Sequence, residues 1–251
     1  YKYDFHSIIG TRGCPYHCTF CNSSANWKHR YRLRPPKDVY EEIKQVVELY
    51  GRDRYFAFND DAFNINKKWV VEVCNLIVKL NVKIWIRGMR AGLVTREVAD
   101  ALKAAGCFGV AVGVESADNA ALKIMRKATN IEEIIRGVET LKASGIDNII
   151  GQFIIGNQSD TLETVKKSIE VSKIFSEPTF GIAYPIPNTA LYDYIKKNDY
   201  LLLERVPIKH KGKIIDWILF DTPEFTLKER FEAVDLAIKA KVYHGIDYSD
   251  E

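Results

Sequence analysis

Nine consecutive residues, Gly13 to Cys21, read GCPYHCTFC and hold three of the five cysteines in the chain. A Cys-x-x-x-Cys-x-x-Cys spacing within one loop can turn three thiolates onto a single point, and the chemistry open to them there is metal binding. Two centres compete for this reading. A structural zinc site takes four protein ligands, and His6, His17 and His29 are candidates for the fourth. A four-iron cluster held by three thiolates instead keeps one iron open to an exchangeable ligand. Cys74 and Cys107 lie in apolar surroundings, the first on a helix face and the second just after Gly106, and read as small core residues. His210 and His244 have no partner at metal-ligand spacing and take no role.

Other residues with chemical potential fall at the ends of apolar runs. FNDDAF presents Asn59, Asp60 and Asp61, which at their plainest form a polar strand end, since aspartates are common in turns. Glu115 and Ser116 follow the apolar run FGVAVGV; a carboxylate in that place needs a partner, and the serine can shape the turn. Arg87 and Arg90 are suited either to a ligand carboxylate or to surface acids. WKHRYRLR, residues 27–34, interleaves aromatics and bases as a single-strand nucleic-acid surface does, but a net charge of +3 falls short of the concentrated basic face such domains carry, so nucleic acid is not the expected partner.

The elements that must position these residues follow a regular rhythm. Residues 7–9, 55–59, 83–87, 109–114, 148–155 and 179–184 form short apolar runs, as parallel strands buried on both faces should. Between them, Val39, Ile43, Val46, Val47 and Tyr50 repeat at helical spacing up to Gly51, and Val70, Val73, Ile77 and Leu80 do the same. Asn130 with Glu133, and Asp160 with Glu163, read as capping boxes opening two further helices. Alternation of this kind predicts right-handed βαβ units, and six units give an α/β partial (βα)6 TIM-like barrel rather than a full one. The cysteine loop then follows the first strand, at the carboxyl end where parallel folds place their chemistry. The barrel core is expected over residues 1–197. A carboxyl-terminal α/β extension over 198–251 should pack on it as part of the same structural unit, with an edge strand at 213–220 and a last helix capped by Thr226 and Glu229. No run of about 18 apolar residues suggests a membrane span, and the clustered, odd cysteine count fits a reducing cytoplasm.

With the loop placed, GCPYHCTFC resembles the cluster loop of the radical S-adenosylmethionine (radical SAM) enzymes, including Phe20 before the last cysteine. FNDDAF, GVES, Gln152-x-Ile154-x-Gly156 and YPIPNTALY fall where that family has its recurring elements. The arrangement is most similar to the members that carry a cobalamin-binding domain. The resemblance implies Cys14, Cys18 and Cys21 as ligands of a [4Fe-4S] cluster whose open iron is chelated by S-adenosylmethionine. It implies reductive cleavage to a 5'-deoxyadenosyl radical that takes hydrogen from substrate. It places Phe20, Asn59, Asp60, Asp61, Arg90, Glu115, Ser116, Gln152, Ile154 and Gly156 around the nucleotide, with Glu115 and Tyr184 toward catalysis. The family often has Gly where this chain has Gln152. A one-electron reductant such as a flavodoxin or ferredoxin, and a small-molecule, peptide or RNA substrate, would be the partners. Methyl transfer or rearrangement with cobalamin is the implied outcome, the cobalamin being held by a domain that would precede Tyr1. Methylthiotransfer to RNA or protein is the alternative enzyme, and a zinc-binding or degenerate barrel module the alternative without catalysis.

Overall fold

The computed structural model describes residues 5–243, so His244 lies outside the described residues. In chain order the first elements are β1 (Phe5–Ile8), β2 (Thr11–Arg12), α1 (Asn22–Trp27), β3 (Arg32–Leu33), α2 (Pro36–Tyr50), β4 (Tyr55–Phe58), α3 (Lys67–Ile77), β5 (Lys83–Met89) and α4 (Arg96–Ala104). There follow β6 (Cys107–Glu115), α5 (Asn119–Ile124), α6 (Ile131–Ala143), β7 (Ile149–Ile155), α7 (Leu162–Ser172), β8 (Glu177–Ile182) and α8 (Ala190–Lys197). Last come β9 (Leu201–His210), β10 (Lys213–Phe220) and α9 (Leu227–Lys239).

The protein is an α/β fold built on one six-stranded parallel sheet in the order β1-β4-β5-β6-β7-β8. Each strand therefore lies beside the next along the chain, as successive βαβ crossovers dictate. Ser7 stands opposite Ala57, and Ala57 opposite Trp85, in parallel register. All six strands overlap the apolar runs read from the sequence, β1, β6 and β8 each starting two residues earlier.

The residues after α8 form a small sheet of their own. Residues 213–220 are a strand, but β10 pairs antiparallel with β9 in a separate two-stranded sheet, Lys213 opposite His210. The sequence hides β9 because a strand with little buried surface has no clean alternation; Leu203 is fully exposed.

The chain divides into two compact units. The first comprises the residues up to Pro15, Trp27–Gly113 and Glu132–Ile150. Its core holds Phe56, Phe58, Ile84 and Ile86 from alternate strand positions, with Val39 and Ile43 of α2, Val70 and Val73 of α3, and Val98 and Leu102 of α4. Alternation leaves Tyr55, Ala57, Asn59, Trp85 and Arg87 on the opposite face. The second unit comprises Tyr16–Asn26, Val114–Ile131 and the chain from Gly151 onward. In it Phe153 stacks on Phe180 with ring centroids 4.6 Å apart, and Ala183, Leu191, Ile195 and Phe220 form a further apolar cluster.

Helix starts are set by local hydrogen bonds. Thr226 and Glu229 form the expected capping box of α9. For α7 the cap is Thr161 boxed with Thr164, not Asp160 with Glu163, because Asp160 Oδ2 accepts from the N–H groups of the preceding turn and Oδ1 from the Thr164 hydroxyl. One close backbone approach ties the sheet to the residues after β4: Gly88 has φ 67°, and a Cβ there would stand 2.0 Å from the carbonyl oxygen of Asp60. Gly88→Ala should therefore destabilise the protein by at least the roughly 1–2 kcal/mol of a left-handed non-glycine residue, with the steric contact adding to it. Urea denaturation measures this, and an unchanged midpoint would contradict the approach.

Candidate metal-binding loop and its supports

The loop after β1 is held through its backbone. The Asp60 carboxylate accepts hydrogen bonds from the N–H groups of Gly10 (3.4 Å) and Thr11, and Asp61 accepts one from Gly13 N–H at 2.9 Å. Asp60 is buried, and burial pushes its carboxyl up to about 6 despite those donors. In the second unit, Thr19 N–H donates to the Met125 carbonyl at 2.9 Å, and Leu191 N–H donates to the Thr19 carbonyl at 2.9 Å. Phe20 packs against the apolar cluster of Ala183, Leu191, Ile195 and Phe220, and so does Ile154 from β7.

Within this loop Cys14, Cys18 and Cys21 are half-buried, whereas Cys74 and Cys107 are buried. Burial raises both core thiols, Cys107 to about 12, which leaves them protonated and poor ligands. Among the described residues, no three side chains of His, Cys, Asp and Glu are gathered closely enough to hold a metal ion. His6 lies 3.8 Å from Glu42 rather than completing a four-ligand set. Three half-buried cysteines within one loop are a donor set that a cluster with one open iron can take.

Glu115 ends β6 with φ 67°, a left-handed conformation that marks a constrained turn in a non-glycine residue. Its Oε1 is 2.6 Å from Lys127 Nζ, both side chains about nine-tenths buried. Oε2 is uncommitted among the described residues. Ser116 shapes the same turn: its hydroxyl accepts from Asp118 N–H at 3.1 Å.

The turn after β7 is built on two buried charges. Gly156 has φ 87°, and a Cβ there would lie 2.1 Å from Arg230 Nη1, which donates to the Gly156 carbonyl at 3.0 Å. The Gly156 and Asn157 N–H groups both donate to Asp160 Oδ2, at 2.9 and 3.0 Å. Burial pushes the Asp160 carboxyl up to about 6 and lowers Arg230 to about 10. The guanidinium of Arg230 is sandwiched by Phe220 and Phe225, 4.3 and 4.9 Å from their ring centroids.

The remaining expected residues are more dispersed. Asn59 is exposed and donates to Ser7 Oγ at 2.6 Å. Arg90 is buried, its backbone locked to the Asn64 amide by hydrogen bonds of 2.9 and 3.0 Å. Gln152 is exposed on β7, and the Tyr184 hydroxyl is buried without a hydrogen-bond partner among the described residues. Sequence reasoning missed Lys127, for which no periodic signal exists. It also missed Arg230, which did carry one: it lies on the stripe of Ala233, Val234 and Ala237 that α9 buries.

A family model described as the Radical SAM superfamily matches residues 8–171. An uncharacterized methyltransferase of Pyrococcus horikoshii is 34% identical over 208 residues, covering 80% of this chain and 45% of that protein. The anaerobic magnesium-protoporphyrin IX monomethyl ester cyclase of Rubrivivax gelatinosus is 25% identical over 235 residues, covering 88% and 42%. The chain thus spans less than half the length of these two relatives. Among solved structures, the radical S-adenosylmethionine methyltransferase TsrM from Kitasatospora setae, with tryptophan substrate and the SAM analog aza-SAM bound, superimposes with a TM-score of 0.78 at 18% identity, covering 99% of this chain and 57% of that one.

Two outcomes follow from the buried charges. Lys127→Met leaves the Glu115 carboxylate uncompensated and should cost about 3–5 kcal/mol; in urea denaturation the double variant with Glu115→Gln should lose less than the sum of the single changes. Asp160 binds its proton more tightly folded than unfolded, so stability falls as pH rises from near its unfolded value of 3.8 to about 6, and is level above that. Asp160→Asn, which keeps an acceptor for both N–H groups, should remove up to about 3 kcal/mol of that dependence. Parallel pH profiles of the two proteins would expose the idea as wrong.

Proposed function

The chain belongs to the radical SAM superfamily, and from that premise we propose that it is the catalytic core of an enzyme that cleaves S-adenosylmethionine reductively and uses the product on a separate substrate. The observation that carries the reading is a loop of three half-buried cysteines whose backbone is tied down on both flanks while both other cysteines are buried. Cys14, Cys18 and Cys21 would hold a [4Fe-4S] cluster. When bound, the cluster and S-adenosylmethionine supply an electron and a carbon radical that removes hydrogen from substrate.

The protein's own part is placement. Phe20 and Ile154, both partly buried against one apolar cluster, are the apolar side chains assigned to the adenine. Glu115, held in place by Lys127, presents Oε2 to a polar group of the nucleotide, and Asp60 and Asp61 serve the site by fixing the loop's backbone. Arg90, Asn59, Ser116, Gln152 and Gly156 complete the proposed nucleotide surroundings, with Tyr184 toward the substrate. The electron comes from a one-electron reductant of the flavodoxin or ferredoxin kind. Methyl transfer is the favoured outcome, supported by the methyltransferase names of the Pyrococcus relative and of TsrM; cobalamin would then be supplied by a part of the protein outside this chain. Among the described residues no helix is long and apolar enough to cross a membrane.

Anaerobic reconstitution with iron and sulfide, followed by a strong one-electron reductant and S-adenosylmethionine, should yield 5'-deoxyadenosine by chromatography. Cys18→Ala should lose both iron and product, while Cys107→Ala keeps its iron. Glu115→Gln should keep the cluster and weaken nucleotide binding by about 1.5–3 kcal/mol. A protein with a full cluster and bound nucleotide that forms no 5'-deoxyadenosine would end the proposal.

A further inference from the structure

The sheet face opposite the helix-packed core of the first unit carries an unusual set of side chains. Phe5, Tyr55, Trp85 and Phe108 line a cavity of about 330 Å³, with Asn59 and Arg87 also in its wall. The rings form a connected surface: Tyr55 lies 5.2 Å from Phe108, and Phe108 lies 5.4 Å from Trp85, between centroids. Phe5, Tyr55 and Phe108 are 52%, 38% and 39% exposed, which is costly for three neighbouring aromatics unless something covers them.

Asn59 and Arg87 stand at one end of the cavity; at the other, Lys83 Nζ lies 5.5 Å from the Tyr55 ring centroid. Asn59 follows β4 and Arg87 lies in the second half of β5, so both stand toward the carboxyl ends of the strands, while Phe5, Tyr55 and Phe108 stand at or near strand starts. Asn59 spends one amide hydrogen on Ser7. The exposed Arg87 side chain has no acid and no hydrogen-bond partner among the described residues. An unpaired planar fork of donors above an aromatic floor matches an oxyanion carried by a flat apolar body.

We propose that this pocket binds the substrate, and that the substrate is a planar unsaturated molecule bearing a carboxylate or similar anionic group. The rings take the body by stacking, Arg87 takes the anion in a two-pronged contact, and the anionic end is directed toward the strand ends that the cysteine loop follows. The word substrate rests on the radical SAM reading above, whereas occupancy of the pocket does not.

Calorimetric titration of the full chain, with no reductant and no S-adenosylmethionine, separates the two. The probes are 2-naphthoate and its uncharged counterpart 2-naphthalenemethanol. Saturable binding of one naphthoate per chain is expected, with the neutral probe at least tenfold weaker. Arg87→Gln, an exposed change, should weaken naphthoate about tenfold and leave the neutral probe unaltered; Phe108→Ala should weaken both. Equal affinity of wild type and Arg87→Gln for naphthoate, or non-saturating binding to the wild type, overturns the pocket assignment. So does a loss in Arg87→Gln of affinity for S-adenosylmethionine alone, which would assign the guanidinium to the nucleotide. Failure to form 5'-deoxyadenosine leaves these titrations standing, and their failure leaves the cleavage reaction standing.

Discussion

Everything at the candidate site depends on how the chain is turned after its first strand, and that turn is held by the carboxylates of Asp60 and Asp61. Backbone N–H groups leaving a sheet end must find acceptors or lose the free energy of burial, and here Gly10, Thr11 and Gly13 find them on the neighbouring strand's exit. Burial works against Asp60, raising its affinity for a proton, so the donors must repay a desolvation cost. Gly88 then packs its backbone against Asp60, which links a third strand to the same turn.

The second unit solves a similar problem with a cation. Arg230 reaches from the last helix to the Gly156 carbonyl, its charge balanced by buried Asp160 and faced by two aromatic rings. The carboxyl-terminal extension is therefore a structural part of the turn that ends β7. Glu115 and Lys127 repeat the device at the end of β6. In all three places a buried charge fixes backbone or a partner charge just beyond a strand.

The six parallel strands and the cysteine loop were legible because their signals are local: continuous apolar runs, and thiols counted along a few residues. The family resemblance drew on the same short segments, and the match over residues 8–171 bears it out. β9 was not legible, because a strand lying largely in solvent has no reason to alternate. The cap of α7 was misread since Asp160 and Thr161 are both good caps by type, and only the fold decides which of them takes the role. The same limit applies to Asp60 and Asp61: residue type announces an acceptor at a strand end, but whether it faces a ligand or the chain's own N–H groups is a matter of tertiary geometry. Lys127 left no trace in sequence because its partner lies across a turn rather than at helical spacing.

The attachment of the cysteine loop through main-chain atoms has a consequence for its evolution. Gly13 and Thr19 are anchored by their N–H groups, and Thr19 by its carbonyl as well; any residue but proline supplies such bonds at Thr19, whereas Gly13, at φ 82° with its Cβ position 2.1 Å from the Arg30 carbonyl oxygen, must stay glycine. Between those anchors, Pro15, Tyr16 and His17 set the spacing of Cys14 from Cys18. Insertion or deletion of a single residue there would change the spacing of Cys14 from Cys18 and Cys21, while Cys18 and Cys21 keep their places beside Thr19's fixed bonds. Related chains should therefore preserve the length of this segment.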